Sequence, residues 1–252
     1  MNFFSVVLLI GAGFLGGLAN ALAGGASLFT FPALLTAGLS PVSANASNSF
    51  ALLPANSMAA WVDKEKLPQQ TSTNRLIFLC SMTGGILGGA LLLFTPAKYF
   101  ELLVPALIGL ATVMFIFGKS LQRAFGRLLG GGEHPKLCAA LIFGAGTYGG
   151  YFGAGLGVIM MAILGATNLN EMRINNAFKN VLNVAANVAA NALFISFSMI
   201  SWHETLIMIL GTTVGGFAGG KLVKILPTQA VRLTICCSGV VMTGIYVHRY
   251  WL

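Results

Sequence analysis

The sequence predicts an all-α polytopic membrane protein with two inverted-topology repeats, each a broken, re-entrant helix hairpin followed by three transmembrane helices. Its composition, an internal repeat and the placement of its basic residues lead to that reading. Of 252 residues, 56% are hydrophobic and 8% charged, against roughly a quarter charged in a soluble domain; mean hydropathy is +0.84. The apolar runs are long enough to enter or span a bilayer, and no polar stretch separates two soluble modules, so residues 1–252 read as a single membrane domain.

Self-similarity supplies the repeat. Gly84-Gly85, Gly88-Gly89 and Pro96 recur as Gly215-Gly216, Gly219-Gly220 and Pro227, an offset of 131 (215 − 84). Asn45-Ala46 recurs as Asn176-Ala177 and Asn56 as Asn187 at the same offset. The repeats cover about 3–118 and 135–250. A duplicated hydrophobic chain is the signature of a secondary transporter whose solute site lies between the repeats, near the membrane midplane.

In chain order, the apolar segments are 3–23, 24–37, 45–61, 76–95, 102–118, 137–165, 175–200, 204–220 and 231–248. Gly24-Gly25 interrupts the stretch 3–37, and the glycines from Gly149 to Gly157 interrupt 137–165. Each half of the second is about a dozen residues, short of the roughly 20 needed to cross. A broken hairpin therefore opens each repeat, and 45–61, 76–95 and 102–118 follow in the first, 175–200, 204–220 and 231–248 in the second, as spanning helices. Gly84, Gly88, Gly215 and Gly219 read as close-packing positions between helices.

The basic residues fix orientation. Lys64, Lys66 and Arg75 mark one loop; Lys119, Arg123, Arg127 and Lys136 a second; Lys221, Lys224 and Arg232 a third. All three lie inside if 137–165 enters and returns, but a single crossing would put the third outside, against its charge. The same reckoning runs 45–61 outside to inside and 175–200 the reverse, which makes the repeats inverted and both termini extracytoplasmic. A hairpin that crosses fully twice gives the same answer and stays open. The net charge of +8 sits in these short loops, facing lipid headgroups, so no nucleic-acid partner is expected.

The strongest site signal is polar. Asn176, Asn180, Asn183, Asn187 and Asn191 keep to one helical face, about 80° wide at 100° per residue. The matching face of the first repeat is Asn45, Ser49, Leu52 and Asn56. An unsatisfied polar group in hydrocarbon costs several kcal/mol, so these faces meet protein, water or solute. Interhelical hydrogen-bond glue is the competing reading. Lys179 stands beside the stripe inside an apolar helix, and its repeat mate is Asn48; it lies near the solute, or snorkels to the interface.

After each break a half-helix begins, at Gly24 to Ser27 and at Gly153 to Gly157, with free N–H groups that favour anions. Asp63, Glu65, Glu101, Glu133, Glu171 and Glu204 all lie in loops or at segment ends, so the pseudo-symmetric site has one cation and no carboxylate near it. Cys80, Cys138, Cys236 and Cys237 lack metal spacing, and His134, His203 and His248 are scattered. Neither a metal, another cofactor nor enzymatic activity is expected.

The stretch GGLANALAGGASLFTFPALLTAGLSPVSANASN, with GGYFGAGLGVIMMAILG and INNAFKNVLN later on, resembles the two hallmark regions of the TauE/SafE family of sulfite exporter-like membrane transporters. The resemblance implies export or permeation of small sulfur-containing anions such as sulfite, sulfonates or sulfoacetate. The family's motif positions fall on Asn20, Gly24, Gly25, Ser27, Asn45 and Asn48, and on Tyr151, Gly153, Gly155, Asn176, Lys179 and Asn180. Where members often carry three consecutive glycines, this chain has Gly24-Gly25-Ala26. With Asn183 and Asn187 these residues form the expected solute site. The expected function is carriage of a small anion by alternating access in a bacterial cytoplasmic membrane, and the competing readings are an anion channel or a structural membrane protein. A proton or sodium as coupling ion, and self-association, stay open.

Overall fold

The computed structural model describes residues 2–129, 134–166, 172–222 and 228–252. Pro227, Lys224, Glu133 and Glu171 lie outside the described residues, as do the side chains of Lys221 and Arg232. The described residues form ten α-helices: α1 Phe3–Ala23, α2 Ser27–Thr36, α3 Pro41–Val62, α4 Ser72–Phe94, α5 Ala97–Leu129, α6 Pro135–Tyr151, α7 Leu156–Leu164, α8 Met172–Ser196, α9 Trp202–Leu222 and α10 Thr228–Tyr250. Three of them are long and apolar enough to cross a membrane, over Phe3–Ala21, Ser72–Phe94 and Ala97–Leu129. Large apolar side chains such as Leu79, Val113, Leu210 and Phe217 stand exposed on the bundle surface. Lipid covers such a surface in an integral membrane protein.

Local chemistry sets the helix ends. Gly24 takes the left-handed conformation (φ 78°), and its N–H closes α1 onto the carbonyls of Ala19 and Asn20, the backbone geometry for which glycine is the default. Gly153 and Gly155, both at φ 81°, make the second break. That break comes later than expected: α6 has 17 residues and α7 only 9, not two halves of a dozen. Gly149 and Gly150 stay helical because they are packing positions: a Cβ on Gly150 would strike the carbonyl of Gly85, and one on Gly149 the side chain of Leu156. Elsewhere the Ser40 hydroxyl accepts the N–H of Ser43 at 3.4 Å and the Thr71 hydroxyl that of Asn74 at 3.1 Å, caps that start α3 and α4 about a turn before their apolar runs. Helix α5 outlasts its apolar run at 118, kinking at Phe117 and continuing to Leu129.

Glycine stripes pack the helices backbone to backbone. Gly13 and Gly17 of α1 lie against Met208, Thr212 and Gly216 of α9, so the two helices run parallel. Gly84 and Gly88 of α4 meet Phe143, Thr147 and Tyr151 of α6 in the same sense. Two interhelical bonds repeat at the offset of 131: Ser81 donates to the Leu182 carbonyl and Thr212 to the Ala51 carbonyl, both at 2.9 Å.

These contacts order the bundle into two ends. At one, Ser43 donates to the Met199 carbonyl at 3.0 Å and lies 3.1 Å from the Ser201 hydroxyl, and the Trp251 indole donates to the Leu102 carbonyl at 2.8 Å. At the other, Asn176 reaches Asp63 and Gln122 reaches the Gly165 carbonyl. The pair α1–α2 starts and finishes at the first, the Trp202 end; the pair α6–α7 starts and finishes at the second, the Asp63 end. Helix α2, at 10 residues, is about 15 Å long, too short to cross a bilayer by itself, and α7, at 9 residues, is shorter still.

Candidate functional site

A cavity of about 390 Å³ opens among α1, α2, α3, α5, α7 and α8. Ten of the fourteen expected site residues line it: Asn20, Gly24, Ser27, Asn48, Gly153, Asn176, Lys179, Asn180, Asn183 and Asn187. The starts of α2 and α7 reach its wall through Ala26, Ser27, Leu156 and Gly157, so both half-helix N-termini face one space. Their dipoles place positive potential there.

Four expected residues are elsewhere. Gly25 packs on Ile235 of α10, and Gly155 on Ala111 of α5. Asn45 is 2% exposed, and its Nδ2 donates to the Tyr151 carbonyl at 2.8 Å. The Tyr151 ring meets Phe100 edge-on at 5.7 Å. Asn45 and Tyr151 are thus bonded to each other, away from the cavity, toward the Trp202 end.

The polar wall carries several local groups of side-chain hydrogen bonds. Asn20 Nδ2 donates to Asn56 Oδ1 at 2.9 Å; Asn48 donates to Ser27 Oγ at 3.1 Å and accepts from Thr30. Ser49 donates to Asn187 Oδ1 at 3.2 Å, while Asn191 donates to Ser49 Oγ at 3.1 Å. Along the α8 stripe, Asn191 is buried in its bond to Ser49, Asn187 both bonds Ser49 and lines the cavity, and Asn176, Asn180 and Asn183 line the cavity. Asn183 Oδ1 is buried without a hydrogen-bond partner, a costly state for an amide oxygen unless water or a solute reaches it.

Lys179 Nζ donates to Asn176 Oδ1 at 2.8 Å. Asn176 Nδ2 in turn reaches Asp63 Oδ2 at 3.4 Å, and Asp63 Oδ1 pairs with Lys66 at 2.8 Å. This corrects the expectation of a cation with no carboxylate near it: Asp63, the residue that closes α3, is joined to Lys179 through one amide. Sequence reading also missed Lys119 and Gln122, which line the cavity from the part of α5 beyond the Phe117 kink. The signal available was the helical spacing of the polar residues past 118, where the apolar run ends.

The cavity is one-sided. Toward the Asp63 end its wall extends to Ala59, Lys119 and Asn176. Toward the Trp202 end it stops at Asn48 on α3 and Asn187 on α8; one turn further, Asn45 and Asn191 are both 2% exposed. Phe152 forms part of the wall there and meets Phe31 edge-on at 5.4 Å.

Comparison with known proteins identifies the family. The family model "Sulfite exporter TauE/SafE" matches residues 9–246. A "Probable membrane transporter protein" of Haemophilus influenzae is 26% identical over 250 residues, covering 96% of this chain and 94% of the relative. The "Probable membrane transporter protein YfcA" of Escherichia coli K12 is 26% identical over 239 residues, covering 91% and 85%, and the "Probable membrane transporter protein ORF9" of a Sinorhizobium species is 26% identical over 228 residues, covering 88% and 84%. No solved structure matches. With a match over most of its length, the chain belongs to the TauE/SafE sulfite exporter family of membrane transporters.

Proposed function

We propose that this protein is a secondary transporter for a small anion of the sulfur oxyanion or sulfonate class, working by alternating access between two inverted repeats, about 3–118 and 135–250, of one membrane domain. The observation that carries the proposal is the one-sided cavity, where Lys179, carboxamides from both halves of the chain and two half-helix N-termini face one space. Amide N–H groups, an ammonium and helix N-termini are all donors, the set that a tetrahedral or pyramidal oxyanion needs. The inverted-repeat reading draws on the hairpins, which return to opposite ends, and on the paired bonds Ser81 to Leu182 and Thr212 to Ala51.

A carrier is favoured over a channel by the closed side. A channel needs a path open at both ends together, whereas here the Phe31–Phe152 pair and the Asn45–Tyr151 bond lie between the cavity and the Trp202 end. By the positive-inside rule the Asp63 end, with Lys64, Lys66 and Arg75, faces the cytoplasm, so the cavity is inward-open in a bacterial cytoplasmic membrane. The test is a thermal-shift screen of purified protein against sulfite, sulfate, thiosulfate, sulfonates and carboxylates. A ligand that binds only the folded state raises the melting temperature by mass action. Stabilisation by sulfite or a sulfonate, and not by carboxylates, is the expected result; stabilisation by carboxylates alone would reassign the solute class.

A further inference from the structure

The cavity wall is only partly symmetric about the repeat. Several pairs related by the offset of 131 have both members on the wall, among them Asn48 and Lys179, Ser49 and Asn180, Leu52 and Asn183, and Asn56 and Asn187. At other positions the pairing fails. Asn20, Ala59 and Asn176 line the cavity, but their mates Tyr151, Ala190 and Asn45 do not; Ala190 is fully buried.

One hydrogen bond follows the same asymmetry. Asn45 Nδ2 donates to the Tyr151 carbonyl. The repeat mates of those two residues are Asn176 (45 + 131) and Asn20 (151 − 131), and the corresponding bond is not made: Asn176 Nδ2 is turned to Asp63, and Asn176 Oδ1 is held by Lys179. The helix ends differ to match. Helix α6 closes its last turn with the N–H groups of Phe152 and Gly153 on the Tyr148 carbonyl, leaving the Tyr151 carbonyl to Asn45; α1 runs on until the Gly24 N–H takes the Asn20 carbonyl. The buried Oδ1 of Asn45 has no hydrogen-bond partner, whereas its counterpart on Asn176 has Lys179.

Building on the alternating-access reading above, we propose that Asn45 and Asn176 are reciprocal gate residues. The bond from Asn45 to the Tyr151 carbonyl closes the Trp202 end, the bond from Asn176 to the Asn20 carbonyl closes the Asp63 end, and only one is made at a time. The conformer seen has the first. In the other conformer α6 lengthens by the turn that α1 gives up, and the Trp202 end opens onto Asn45 and Ala190. Lys179 links the gate to the solute: an anion that draws its ammonium off Asn176 Oδ1 frees that amide to turn toward Asn20.

The test uses the full chain in membranes, without solute and with the four native cysteines replaced, carrying one reporter at a time. Ala59→Cys reports the open wall near the Asp63 end, and Ala190→Cys its buried mate. Labelling rates are measured with a membrane-impermeant maleimide applied from either side. Asn45→Leu, near in volume, and Asn45→Ser, smaller, both lack an amide that reaches Tyr151. Each should raise the Ala190→Cys rate by about fivefold or more, the worth of one hydrogen bond, and lower the Ala59→Cys rate. Asn176→Leu should do the reverse, slowing Ala190→Cys and leaving Ala59→Cys reactive. If both Asn45 variants left the two rates unmoved, or if Asn45→Leu and Asn176→Leu shifted them in the same direction, the gate would be refuted. Sulfite flux with unmoved reporters overturns the gate and leaves the carrier; reciprocal shifts without sulfite flux support the gate and leave the solute assignment to fall alone.

Discussion

Lys179 Nζ donates to Asn176 Oδ1 at 2.8 Å, one helical turn back along α8, and through that amide it is joined to the Asp63 carboxylate. Lys179 is thereby oriented by an uncharged group, with its nearest linked carboxylate one residue further off. Lys179→Met keeps most of the stem and deletes the charge, so it should weaken sulfite binding about ten- to a hundredfold, or about 1.5 to 3 kcal/mol for one charge-assisted hydrogen bond. Lys179→Arg should rescue only in part, because a planar guanidinium differs in reach from an ammonium. Asp63→Asn removes a repelling charge at the mouth and should tighten binding about two- to fivefold at low salt, less at high salt. Calorimetry on detergent-purified protein checks all three.

The asparagine stripe divides by position. Asn176→Leu and Asn45→Leu should each cripple transport while folded protein remains in the membrane. Asn191→Leu removes a buried bond to Ser49 from a position off the cavity wall, so it should cost about 0.6 to 2 kcal/mol of stability and leave most of the flux. Flux assays beside melting curves separate the two outcomes. Equal tolerance of all three substitutions would make the whole stripe packing glue.

Glycine packing gives a paired prediction. A Cβ on Gly88 would strike the Thr147 carbonyl of α6, and one on Gly215, the mate of Gly84, the Phe14 carbonyl of α1. Gly88→Ala and Gly215→Ala should therefore both prise helices apart and lower the melting temperature sharply. Gly144→Ala and Gly11→Ala, where a Cβ meets nothing within 4 Å, should not. Thermal unfolding followed by size-exclusion recovery reads the difference.

Topology is open to direct labelling. Single cysteines at Gln70 and Leu128 should be reached from the cytoplasmic side, and those at Ser40 and Trp202 from the other. Gln70 and Trp202 on the same side would remove the inverted arrangement of α3 and α8.

The sequence disclosed those features that obey a repeating period. The glycine pairs of α4 and α9, the asparagine face of α8 and the break at Gly24 each follow a helical or repeat spacing, and each falls where that spacing leads. What stayed hidden depends on tertiary packing. Gly149 and Gly150 look like breakers until Leu156 is seen against the first and α4 against the second. Lys119 and Gln122 look like loop residues until α5 continues past its kink. Asn45 and Asn176 are equivalent in sequence yet differ in surroundings, one buried on the Tyr151 carbonyl and the other lining the cavity, a difference that a repeat spacing does not record. Asp63 closes α3 as a cap residue, and its bond to Asn176, which joins it to Lys179, crosses 113 residues of chain.

Sulfite counterflow into proteoliposomes tests the central claim most directly. Vesicles loaded with unlabelled sulfite and diluted into trace labelled sulfite should take up label transiently above equilibrium, with saturation, and lose that overshoot in Lys179→Met. Entry of label that neither saturates nor depends on trans sulfite, and that persists in Lys179→Met, would contradict a carrier with its solute at this lysine.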